Sequence, residues 1–286
     1  MIVTAWSPPD GSLLAGLLGS LAALGARGRP PFRVLVPGAA EADRVRRLAG
    51  DVGVQTIVAP FAMDEPSPHD ALLPDLPRLT GMSEGVVTWL APSVWVQEAH
   101  AIRVMREAAT DGSLVAAYAV DRAYRALTAP RSPWHIHRAA MARAFGAEAA
   151  RRLWMRPAID IGVFSLAADA PHWSAWRAIR EAAVERGRSP GAGTPHTLGS
   201  LALNIAVRTH RLPVLPLPAR WNWLCHLERP LWQDGRLVEP EPPHDPIAIL
   251  HLSGESSRRV MRIEDRDGRR LRSSLRFPLR IEPDAA

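Results

Sequence analysis

The opening third of the chain constrains the fold more than any other part of it. Four short apolar runs, Ile2–Trp6, Phe32–Val36, Val54–Ala59 and Val86–Leu90, follow one another with helical stretches or turns between them. A Ser-Pro-Pro-Asp-Gly turn, Ser7–Gly11, closes the first run and starts a helix near Ser12. Glu41–Ala49 reads as a second helix, with Gly50 as its cap. Strands separated by single helices point to a parallel, doubly wound sheet, and the apolar run Val86–Leu90 fits a strand buried on both faces. The expected fold is therefore α/β, a single domain with a mainly parallel, doubly wound sheet flanked by helices.

The rest of the chain continues the pattern less cleanly. Pro60–Pro77 is Pro-rich and irregular. Gln97–Ala109, His135–Leu153, Trp173–Arg186 and Thr197–Thr209 have helical apolar spacing, and Ala158–Leu166, Val214–Leu217 and Ile247–Leu252 read as strands. No run is long and apolar enough to span a bilayer. Leu13–Leu24 is too short for that and has no basic residue before it, unlike a secretory signal. Cys225 is the single cysteine, which rules out an intrachain disulfide and fits a reducing, cytoplasmic setting.

Charge is informative mainly through its distribution. All 35 basic side chains are arginine. With many Ala and Pro and few Tyr, this is the signature of a GC-rich bacterial genome, so the high isoelectric point says little about partners. From Ser256 onward, however, nine arginines face five carboxylates. This stretch has one Phe and little periodicity. It is read as a basic tail, residues 256–286, after a main domain of residues 1–255. Such a tail can order on binding, gripping phosphates or the surface of an anionic membrane. It lacks the interleaved aromatic residues of a nucleic-acid surface, so no nucleic-acid partner is expected.

Four segments, in order, resemble bacterial glycosyltransferases of the family 8 type: VVTWLAPSVWVQ (Val86–Gln97), IDIGVFSL (Ile159–Leu166), SLALN with LPLPARWNW (Ser200–Asn204 and Leu215–Trp223) and IAILHLSG (Ile247–Gly254). The resemblance covers roughly residues 1–260 and implies a GT-A-like (Rossmann-like) nucleotide-sugar-binding domain. It also implies a divalent cation held by an Asp-x-Asp pair and a late His against the donor's diphosphate. Here the Asp-x-Asp places hold Ala91 and Ser93, and only His251 remains. No cofactor is therefore expected, with a divalent metal such as Mn²⁺ as the less favoured alternative. The family's Asp-Gln pair, which faces the transferred sugar, is replaced by Gly199 and Ser200.

These residues set the expected site. Asp160, where the family has Asn, and His196 at a helix start are the candidate catalytic groups. Thr4, Ala5, Asp10, Ser93, Gly162, His251 and Gly254 are candidates for binding the nucleotide donor. Arg258 and Arg259 are candidates for offsetting phosphate charge in place of the metal, because guanidinium groups pair bidentately with phosphate. Trp221 and Asn222 are candidates for contact with sugar or acceptor. The expected activity is transfer of a sugar, of the hexosyltransferase type, from a nucleoside-diphosphate sugar to an unknown acceptor, without the usual metal. The alternative is an inactive protein of the same fold that binds a nucleotide, a glycan or a protein partner.

Overall fold

Each of the four early apolar runs forms a strand, and together they make half of a twisted sheet. The computed structural model describes residues 1–6, 11–25, 32–50, 52–59, 61, 68–124, 133–187, 197–252 and 260–284. In chain order, β1 (Ile2–Ala5), α1 (Ser12–Ala23), β2 (Phe32–Val36), α2 (Ala39–Ala49) and β3 (Val54–Val58) come first. A 3₁₀ helix (Pro68–Asp75), α3 (Leu76–Leu79), β4 (Val86–Leu90), β5 (Val94–Val96), α4 (His100–Ala108) and β6 (Leu114–Tyr118) follow. The next elements are α5 (Pro133–Phe145), α6 (Ala147–Leu153), β7 (Ile159–Ala167), α7 (His172–Glu185), α8 (Leu198–Thr209) and β8 (Val214–Leu217). The stretch expected as one helix over His135–Leu153 is broken at Gly146, whose φ of 93° is open to glycine but strained for other residues.

Among the described residues the main sheet has the order β3-β2-β1-β4-β7-β6-β8. Every neighbouring pair is parallel except those made by β7, which runs antiparallel to both β4 and β6. β1 and β4 are buried along their whole length because helices cover both faces. On one face Leu14, Leu17, Leu18 and Leu21 of α1 and Met105 of α4 pack on Val34, Leu90 and Val163. On the other, Trp89, Phe164, Trp173 and Trp176 form an aromatic layer, with the two α7 tryptophans stacked 6.2 Å apart. The Trp173 and Trp176 indole N–H groups are satisfied by the Ala167 and Gly199 carbonyls at 2.8 Å each, so their burial leaves no orphan donor.

The C-terminal part departs from expectation. After β9 (Trp223–Leu224), β10 (Leu231–Gln233), β11 (Arg236–Val238) and β12 (Ile249–His251), residues 260–284 are folded, not a tail awaiting a partner. They form β13 (Met261–Asp265), β14 (Arg270–Ser273) and β15 (Glu282–Pro283) in a five-stranded sheet of order β11-β10-β13-β14-β15. Ile263 and Leu275 are buried in a third apolar cluster with Trp95, Tyr124, Trp223 and Leu250. The Trp95 indole N–H reaches the Leu275 carbonyl at 2.8 Å. Phe277 lies against Gly19 of α1, where an added Cβ would come within 3.1 Å of its ring. Several of the charges that suggested a solvated tail are paired on the sheet surface: Arg262 Nε lies 2.9 Å from Asp284, and Arg272 Nε lies 3.7 Å from it. Among the described residues no helix is long and apolar enough to cross a membrane.

Candidate active site

The chain steps outward from β1 through β2 to β3 and then returns to place β4 on the other side of β1. Where strand order reverses in this way, the loops at the carboxyl ends diverge and leave a crevice, the usual ligand position in open α/β sheets. β7 runs against its neighbours, so its first residues lie where β4 ends: the Ala91 N–H donates to the Gly162 carbonyl at 2.7 Å. β7 is also irregular there. Along β6, Ala116 is paired with Phe164 and Tyr118 with Ile159, so two steps on β6 span five on β7. The surplus residues bow out over Asp160–Val163. A bulge of this kind re-aims side chains and recurs beside active sites.

A second, three-stranded sheet brings two partners to the bulge. β12 lies between β5 and β9, antiparallel to the first and parallel to the second, with His251 opposite Val94 and Leu224. Asn222 directly precedes β9 and is buried. Its Nδ2 donates to Asp160 Oδ1 at 2.7 Å, and its Oδ1 lies 3.1 Å from His251 Nδ1. Because the amide oxygen can only accept, that contact places a proton on His251 Nδ1. Asp160 Oδ1 also accepts from the Gly162 N–H at 2.8 Å and stands 3.6 Å from His251 Nδ1. Gly162 is needed for this approach, since a Cβ there would fall 2.2 Å from His251 Cε1 and 2.8 Å from Asp160 Oδ1.

The electrostatics follow from these contacts. Burial alone would push the Asp160 carboxyl up. The imidazole of His251, the Asn222 amide and the Gly162 N–H outweigh it and hold the group at about 2. Asp160 is therefore ionised throughout the ordinary pH range. Its side chain keeps 23% exposure, and among the described residues Oδ2 makes no hydrogen bond. One oxygen is saturated and the other opens to the crevice. A carboxyl held this far below neutral pH is a weak proton acceptor.

The other expected residues are distributed unevenly. Thr4 and Ala5 are fully buried at the end of β1, and Thr4 Oγ1 has no hydrogen-bond partner, an orphan hydroxyl that costs free energy unless something satisfies it. Ser93 is half-buried, and its carbonyl accepts from Leu252 N–H at 2.9 Å, which anchors the residue after His251. Trp221 is a core residue on the α1–α4 side, with the His100 ring edge-on at 5.8 Å. Asn222 has both its side-chain groups committed to Asp160 and His251 and so serves as a brace. Asp10, His196, Gly254, Arg258 and Arg259 lie outside the described residues.

Three residues at the site were not singled out from sequence. His69, in the 3₁₀ helix, rests against the Trp89 ring at 5.4 Å with its Nδ1 buried and unpartnered. Burial, and then the nearby His251, push its pKa down to about 4, so it is neutral at pH 7. Asp70 Oδ2 accepts from Gly199 N–H at 2.9 Å. Asn204 holds the backbone beside Asp160, its Oδ1 accepting from Ile159 N–H at 2.7 Å and its Nδ2 donating to Ile159 O at 3.0 Å. Only Asn204 had a signal, a polar residue in the otherwise apolar SLALN run.

The described residues at this corner supply no ligand set for a hard divalent cation. Ala91 and Ser93 supply no carboxylate, and Asp160 and His251 are turned toward each other and Asn222. Among the described residues no group of three or more His, Cys, Asp or Glu side chains is placed to hold an ion.

No protein-family model matches this chain, and no curated protein matches its sequence. Solved structures do resemble it. A galactosyltransferase, LgtC, in complex with donor and acceptor sugar analogues, aligns over 89% of this chain and 87% of its own at 14% identity, with a TM-score of 0.54. The apo form of mouse xyloside xylosyltransferase 1 aligns over 87% and 96% at 12% identity, also with a TM-score of 0.54. At such identities the likeness shows the fold, which is that of the GT-A glycosyltransferases.

Proposed function

We propose that this chain is a glycosyltransferase-like enzyme of the hexosyltransferase type, taking a nucleoside-diphosphate sugar and passing the sugar to an acceptor hydroxyl. The observation that carries this reading is the state of Asp160: ionised, with Oδ1 braced by Asn222 and Gly162 and Oδ2 open at the switch-point crevice. Such an oxygen accepts a hydrogen bond from a sugar hydroxyl. It also offsets the positive charge that develops on the ring as its bond to phosphate loosens, an electrostatic role that needs no proton transfer. Gly162 and His251 wall the same corner, and Thr4 and Ala5 at the end of β1, with Asp10 following in sequence, would receive the base. Since the donor set does not suit a metal, the charge on the departing diphosphate falls to Arg258 and Arg259, which follow His251 in sequence, and His196 is the remaining candidate acid or base. The test is hydrolysis and transfer assayed over a panel of UDP- and GDP-sugars, with and without Mn²⁺, for the wild type, Asp160→Asn and the Arg258→Ala/Arg259→Ala pair. Turnover by the wild type that survives chelation and falls about 100-fold or more in Asp160→Asn is the expected result.

A second reading, a protein that binds the same donor without transferring it, is favoured by the low proton affinity of Asp160, which deprives the described corner of a competent base. Binding of a nucleoside-diphosphate sugar without turnover of any in the panel would select it.

A further inference from the structure

The 3₁₀ helix Pro68–Asp75 carries a carboxylate across the fold to the start of α8. Asp70 is buried, and its Oδ2 accepts from the Gly199 N–H at 2.9 Å across 129 residues of sequence. A Cβ on Gly199 would fall 2.4 Å from that oxygen and 2.8 Å from Asp70 Cγ, so the carboxylate occupies the volume a side chain at 199 would need. The same peptide is gripped from behind, since the Gly199 carbonyl accepts from the Trp176 indole at 2.8 Å. The start of α8 already has a local cap, Thr197 Oγ1 accepting from Ser200 N–H at 3.1 Å. A second cap brought from a distant element, with the desolvation that burying a carboxylate entails, is more than the helix alone requires. What α8 holds farther along explains it. Asn204 clasps both backbone groups of Ile159, the residue before Asp160, and Asn204 Nδ2 also donates to Ser200 O at 2.9 Å. A continuous set of hydrogen bonds thus runs from Asp70 through Gly199 and the first turn of α8 to the backbone that aims Asp160.

We propose that Asp70 is a positioning residue for Asp160, and that position 199 is glycine because the 3₁₀ helix, not α8, supplies the carboxylate at this end of the site. This rests on the reading of Asp160 as the residue that faces the sugar.

The test is a double-mutant cycle on the full chain, followed by amide hydrogen exchange and by steady-state kinetics with whichever UDP-sugar the panel identifies. Asp70→Ala should speed exchange of the Ile159 and Gly162 amides and lower kcat, each by about 10- to 100-fold, with donor KM unchanged within about threefold. Gly199→Asp alone sets one carboxylate onto another and should be as impaired. The pair Asp70→Ala/Gly199→Asp returns a carboxylate to the vacated volume and should recover exchange and kcat to within about fivefold of wild type. If the double variant is no better than the worse single one, the proposal is overturned. Should Asp70→Ala fail to fold, Asp70→Asn retains an acceptor for Gly199 and should keep both amides within about threefold of wild-type exchange. Loosening of those amides in Asp70→Asn beyond tenfold would equally overturn it. A wild-type protein that turns over no sugar nucleotide sinks the functional reading alone, and the exchange cycle still decides the coupling of Asp70 to Asp160.

Discussion

Asn222 donates to Asp160 at 2.7 Å with one end of its amide and meets His251 at 3.1 Å with the other, so a single buried side chain fixes both the charge of a carboxylate and the tautomer of an imidazole. Asn222→Ala removes both contacts at once and leaves the His251 Nδ1–H without its acceptor. The expected cost is about 1–3 kcal/mol, read as a lower urea midpoint with unchanged slope. Asn222→Asp preserves shape but sets a second carboxylate against Asp160. Carboxyl NMR titration should then find Asp160 well above its wild-type value of about 2.

Gly162→Ala tests the closeness of the strand to the ring. The added methyl would sit 2.2 Å from His251 Cε1, and His251 is itself held between β5 and β9. Either the ring or the bulge must move, at a cost of about 1–3 kcal/mol by the general behaviour of overpacked sites. Activity should fall with it, and a structure of the variant should show the His251–Asn222 bond broken.

The acid limb of the stability curve should have two sections. The folded protein holds His69 neutral down to about 4 while the unfolded chain protonates it from its ordinary 6.5, so stability falls as pH drops between those values. Asp160 is depressed from 3.8 to about 2. Its contribution is complete above its unfolded value and lost as pH falls through about 2. Allowing for its partial exposure, that contribution is about 1–2 kcal/mol. Denaturation against pH should show a shallower upper section in His69→Phe, the remainder belonging in part to His226, which burial likewise lowers to about 4, and should lose the lower section in Asp160→Asn.

Much of this fold is written in the sequence, and the reasons the remainder is not are local. β1 and β4 are short, rich in apolar residues and buried from end to end, and β2 and β3 follow at helix-length intervals, which makes the set conspicuous. Asp160, Asn222 and His251 each drew notice singly, yet no spacing announces that they touch. Their meeting depends on the antiparallel insertion of β7 and on the small sheet β5-β12-β9. His69 and Asp70 lie in a Pro-rich stretch without period, where pattern reading has nothing to work on. The C-terminal strands are two to five residues long with arginines on their outer face, so Ile263 and Leu275 were the slender signs of a buried side.

Those signs lead to a further expectation. Leu275→Ala should cost about 2–5 kcal/mol, because the side chain is fully buried against the cluster containing Trp95 and Trp223. Removing residues 260–286 should expose that cluster, and the truncated chain should lose cooperative thermal unfolding and bind a hydrophobic dye. A truncated protein that melts as the full chain does would show that this sheet contributes nothing to the body.

The bulge in β7 gives the sheet an unusual mechanical profile. A strand flanked on both sides is normally the stiffest element available. Here, where Asp160 sits, two steps along β6 span five along β7, and the slack is confined to the side facing β6. The carboxylate is thereby mounted on an arch whose position is set by the side chains of Asn204 and Asn222 and not by the strand ladder. The register of the strands on either side stays fixed, so a change in Asn204 or Asn222 should move the carboxylate without moving the sheet.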